Sequence, residues 1–100
     1  MTVVAYVPDL MDRSRLDGLV DAFVAAPSAL VGADAAVVVI DLGRPGVLDV
    51  VPAITVPVLG FGSHVDAGLL DAARAAGCAL VLPRSRFFAD PAAAIASVRG

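Results

Sequence analysis

Apolar runs of strand length alternate with short helix-like segments along the whole chain, a pattern that predicts a parallel sheet built from strand–helix–strand crossovers. Five runs have strand character: Thr2–Val7, a weaker Val20–Ala25, Ala35–Ile40, Val56–Gly60 and Ala79–Leu82. The third, Ala35-Ala36-Val37-Val38-Val39-Ile40, has no polar alternation, as expected of a central strand buried on both faces.

Between the runs lie the segments with helical spacing. Leu10–Leu19 reads as a short amphipathic helix capped by Asp9, with Leu10, Met11, Leu16 and Leu19 apolar and Asp12, Arg13, Arg15 and Asp17 on the polar side. Pro27-Ser28 opens a one- or two-turn segment to Val31 that Gly32 stops, and Pro52 limits a second short helix at Val47–Val51. Asp66–Ala76 is the clearest helix, with Leu69, Leu70, Ala73 and Ala76 on one face and Gly77 as its stop. Asp90 followed by Pro91 reads as the cap and first residue of a last helix that runs to Val98.

Right-handed crossovers through five strand–helix units give a doubly wound, three-layer α/β sandwich, and the expected sheet is five-stranded, parallel and ordered 2-1-3-4-5 as in flavodoxin-like folds. Ligands of such sheets sit at the carboxyl ends of the strands. Here those ends are Pro8-Asp9, Asp41-Leu42-Gly43-Arg44, Gly60-Phe61-Gly62-Ser63-His64 and Pro83-Arg84-Ser85-Arg86, which hold most of the side chains capable of chemistry.

Composition narrows the function classes. One hundred residues suit a single domain, and 59% hydrophobic content, supplied largely by 20 alanines and 17 valines, excludes intrinsic disorder. No apolar stretch reaches the roughly 18 residues of a membrane span. The strand-like start, without a basic leader, gives the expectation of a cytoplasmic protein. A net charge of −3 argues against a nucleic-acid partner. All seven cations are arginine and all ten acids aspartate, which reads as coding bias. Cys78 is the one cysteine and is expected in a packing role; with a single distant histidine it forms no metal-ligand pattern.

Three groups of residues at the strand ends resemble the receiver domains of two-component response regulators. Val37-Val38-Val39-Ile40-Asp41-Leu42-Gly43-Arg44-Pro45-Gly46 is similar to their third strand and its loop, where an aspartate ends the strand and Pro-Gly follows. Pro57-Val58-Leu59-Gly60-Phe61-Gly62-Ser63-His64 resembles their fourth strand, and Ala75-Ala76-Gly77-Cys78-Ala79-Leu80-Val81-Leu82-Pro83-Arg84 their following helix end and fifth strand. The resemblance covers most of the chain and is weakest over residues 10–35.

The resemblance implies an aspartate nucleophile, two further carboxylates holding Mg²⁺, a hydroxyl after strand four and a lysine after strand five. On this chain the nucleophile position falls on Asp41, the acid pair is reduced to Asp9, the hydroxyl position falls on Gly62 with Ser63 next to it, and the lysine position falls on Arg84. Two acids, Asp9 and Asp41, hold Mg²⁺ only weakly. An arginine fork is also no substitute for a compact ammonium. The expected function is therefore a stand-alone, degenerate receiver-like domain that signals through a protein partner or a homodimer, without enzymatic turnover or a cofactor. One alternative is a phosphorylatable receiver with Asp41 as phosphoacceptor and Mg²⁺ bound. Another is a small-anion or nucleotide-binding module using Ser63, His64 and Arg84.

Each site residue also has a structural role open to it. Asp41 is expected either to pair with Arg84 or to cap loop amides, and Asp66 to cap its helix while Gly60 and Gly62 make the turn. Arg86-Phe87-Phe88 is either a partner-binding corner, together with the outer face of the Asp66–Ala76 helix, or one ring in the core with the other over its rim. Ser63-His64 as a hydrolytic dyad, and stacking of single-stranded nucleic acid on the two rings, are both disfavoured.

Overall fold

The uninterrupted apolar run in the middle of the chain forms β3 (Val37–Asp41), and all five of its residues are buried. In the computed structural model, which describes residues 2–99, β3 pairs in parallel with β1 (Val3–Tyr6) on one side and β4 (Val58–Gly62) on the other. Two edge strands, β2 (Ala22–Phe23) beside β1 and β5 (Leu80–Pro83) beside β4, complete a five-stranded parallel sheet in the expected order 2-1-3-4-5. The weak second run contributes only two residues to the sheet, and the Asp21 carboxylate accepts the Val3 amide at 2.7 Å where that run begins.

Alternation along the strands divides the core. Val3, Ala5 and Val7 of the first run, with Val37 and Val39 of β3 and Leu59 and Phe61 of β4, pack on one face beneath Leu16, Phe87 and Ile95. Val4, Val38, Ile40 and Val58 pack on the opposite face against Leu30, Val47 and Val51. The first face is covered by α1 (Leu10–Arg15), α4 (Arg84–Ala89) and α5 (Pro91–Val98). The second is covered by a 3₁₀ turn at Pro27–Leu30 and by α2 (Val47–Val50), which runs on into a 3₁₀ turn at Val51–Ala53. The longest helix, α3 (Ala67–Ala76), closes a third cluster in which Leu70 and Ala73 meet Leu42 and Val81.

The caps follow the local sequence. Asp9, Asp66 and Asp90 each accept backbone amides at the start of a helix, and Gly77 ends α3 at φ +117°. Gly60 has a different reason. A Cβ there would lie 2.8 Å from a terminal carbon of Leu42, so only glycine lets that buried side chain lie across β4.

The segment after β5, to which the sequence pattern assigns no element, is a helix, α4, because nothing in Arg84-Ser85-Arg86-Phe87-Phe88-Ala89 breaks a turn before Asp90. In α1 the faces are exchanged: Leu10 and Met11 are 75% and 72% exposed, whereas Asp12 is buried. At about 100° per residue, Asp12 lies about 40° from Leu16 on the helix circumference, while Leu10 lies about 120° away. Leu16 is the residue that enters the core, so the buried stripe passes through the aspartate.

Candidate functional site

The chain leaves β1 towards β2 on one side and leaves β3 towards β4 on the other, so the carboxyl ends of β1 and β3 flank the point where strand order reverses. Three aspartates gather there. Asp9 follows β1, Asp12 lies one turn into α1, and Asp41 is the last residue of β3.

Asp9 caps α1: one carboxylate oxygen accepts the Met11 amide at 2.9 Å and the Asp12 amide at 3.0 Å. The Asp12 amide is the main cause of a carboxyl pKa below the ordinary value of 3.8. Slight desolvation opposes it, while the Met11 amide and the charges of Arg44 and Arg84 act in the same direction.

Asp12 receives a two-pronged arginine. The two terminal nitrogens of Arg84 donate to its two carboxylate oxygens at 3.0 and 2.7 Å, the parallel geometry that makes Arg–carboxylate pairs strong. The aspartate side chain is 5% exposed and the arginine 41%. This pairing raises the Arg84 pKa further above its ordinary range, chiefly through the hydrogen bonds that Arg84 donates to Asp12, against a smaller desolvation cost.

Asp41 is engaged by its own loop. One oxygen accepts the Gly43 amide at 3.0 Å and the other takes Arg44 Nε at 3.3 Å. Capping of a loop amide is thus found as expected, but the expected Arg84–Asp41 pair is not formed: Arg84 takes Asp12, and Arg44 takes Asp41. The local pattern puts Asp12 on the solvent side of the helix and assigns Arg44 no role. The phase of α1 relative to Leu16 was the signal that could have found Asp12.

The loop after β4 opens onto a second feature. Arg15, Ser63, His64, Arg84, Ser85 and Phe88 line an open cavity of about 260 Å³. Ser63, His64 and Arg84, grouped by the sequence as an anion site, are therefore brought together, whereas Asp9 and Asp41 lie outside the lining. The Ser63 hydroxyl accepts the Val65 amide at 3.4 Å, and Asp66 caps α3 through the Leu69 amide.

The two phenylalanines after Arg86 divide between core and rim. Phe87 is fully buried and stacks on Phe61 with centroids 4.9 Å apart and planes 6° from parallel. Phe88 is half-buried and meets both rings edge-on. Phe87 is thus core, and of the proposed corner only Arg86 is exposed. Cys78 is half-buried between α3 and the sheet, and burial pushes its thiol pKa up. Among the described residues no group of three or more His, Cys or Asp side chains converges to hold a metal ion, and no helix is long and apolar enough to cross a membrane.

The chain matches no family model, no curated protein and no solved structure. The fold defines its class: an α/β protein with a five-stranded parallel sheet, compatible with the flavodoxin-like architecture.

Proposed function

We propose that this protein is a receiver-like domain whose phosphoryl-transfer site has become structural, and that it acts by protein contact, most simply with a second copy of itself. The observation that supports this reading is the internal use of every carboxylate at the switch point: Asp9 takes two amides, Asp12 takes Arg84, and Asp41 takes an amide and Arg44. A Mg²⁺ ion wants several uncommitted oxygens in near-octahedral array, and two guanidinium groups already neutralise the carboxylates that would supply them. That donor set does not suit the ion. A nucleophilic Asp41 would also have to shed Arg44 before attacking a phosphoryl group.

Leu10 and Met11, beside this site, are large apolar side chains left in water, the kind of exposure that association removes. A twofold dimer is the simplest closed assembly.

The test has two arms. Acetyl phosphate, or beryllofluoride with Mg²⁺, is expected to leave the intact mass and the amide resonances of Asp41 and its loop unchanged; a stoichiometric adduct lost in Asp41→Asn would establish the phosphoacceptor reading instead. In sedimentation, wild type is expected as a dimer and Leu10→Ser/Met11→Ser as a monomer with its Tm within a few degrees, since exposed side chains contribute little to folding. A monomeric wild type would rule out the homodimer.

A further inference from the structure

We infer that the cavity between α1, the loop after β4 and α4 is a binding site for a phosphate monoester, beside the aspartate cluster and joined to it through Arg84. Among the described residues its lining is wholly cationic, hydroxylic or aromatic, in a chain with more acids than bases: two arginines, two serines, a histidine and a phenylalanine, with no aspartate facing the space.

The two guanidinium groups are held over one ring. The Arg15 and Arg84 guanidinium carbons lie 5.4 and 5.2 Å from the centroid of Phe88, so that ring gathers both cations at the cavity wall. Arg15 has no ion pair among the described residues. Arg84 is fixed from behind: the buried Asp12 takes two of its five N–H groups, one from each terminal nitrogen, and leaves three donors on a side chain that is still 41% exposed. An arginine whose plane is already set loses little freedom on meeting a ligand. The Ser63 hydroxyl accepts a backbone amide, which leaves its proton to donate.

Donors thus come from three directions, from α1, from the loop after β4 and from α4. That suits a tetrahedral phosphoryl group with three outer oxygens better than a planar carboxylate with two. At about 260 Å³ the space is slightly below the roughly 300 Å³ at which ordinary ligand pockets begin, so the alcohol portion is small, and Phe88 offers it an apolar surface.

The experiment is a titration of the ¹⁵N-labelled full chain with inorganic phosphate and with phenyl phosphate, at constant ionic strength. Saturable shifts are expected at Ser63, His64, Ser85 and the Arg15 and Arg84 side-chain resonances, with phenyl phosphate binding more tightly than phosphate. Arg15→Gln, at an exposed position that leaves the Asp12–Arg84 pair intact, is expected to weaken binding about tenfold or more, the effect of one charge-assisted contact. Ser63→Ala gives a smaller loss. Absence of saturable shifts at ligand concentrations on the order of 10 mM would overturn the assignment. So would binding of undiminished affinity in Arg15→Gln, or acetate binding as tightly as phosphate.

Discussion

Arg84 and Asp12 stand 72 residues apart in the chain and meet in two parallel hydrogen bonds that tie the last third of the molecule to its first helix. The pair is lopsided in exposure, with a buried acid and a half-open base. Its two halves should therefore fail differently.

Arg84→Ala strands an ionised carboxylate in the interior and is expected to cost about 2–3 kcal/mol, below the full range for buried pairs because the arginine side is open to solvent. Asp12→Ala leaves a guanidinium that water can still reach, and should cost about 1 kcal/mol. The double variant Asp12→Leu/Arg84→Met should recover most of the loss, since an apolar pair of similar volume removes the unmatched charge. Urea unfolding of the three variants measures this; equal losses in the two single variants would mean that the burial asymmetry has no energetic consequence.

Acid stability should depend on Asp9. Its folded pKa is depressed below 3.8 by the amides that it caps and by two nearby arginines. The unfolded chain therefore binds the proton more readily, and the resulting stabilisation is present above about pH 4 and is lost as pH falls through the folded value. Asp9→Ala should flatten the acid limb of a Tm-against-pH curve while leaving its shape above neutrality unchanged. A carboxyl resonance of Asp9 that titrates at or above 3.8 would contradict this.

The adjacent rings offer an internal comparison. Phe87 is stacked flat on Phe61 with no exposed surface, so Phe87→Ala is expected to cost about 3–5 kcal/mol. Phe88 is half-buried at the cavity rim, and Phe88→Ala should cost about 1–2 kcal/mol. Denaturant midpoints separate the two; similar losses would show that α4 holds its rings differently from the stacked arrangement.

The sheet and its caps are legible in local patterns along the chain. Period-two and unbroken apolar runs are local signals, and so are Asp9, Asp66 and Asp90 before helices and Gly77 after one, because each acts on backbone groups within a few residues. Strand order followed from short right-handed crossovers, which leave few alternatives in a chain of this length. Which acid meets which arginine depends instead on contacts between segments far apart in the chain. Asp41 pairs with Arg44 rather than Arg84, because α1 turns Asp12 into the interior, where its carboxylate takes both terminal nitrogens of Arg84. That rotation was set by Leu16 entering the core, which left Leu10 and Met11 outside against their own hydrophobicity. Arg84 went to the carboxylate with the least access to water, where an unmatched charge would have been most costly. The same packing placed Arg15 beside Phe88 and opened the cavity next to Ser63, a juxtaposition of three segments that no local pattern encodes.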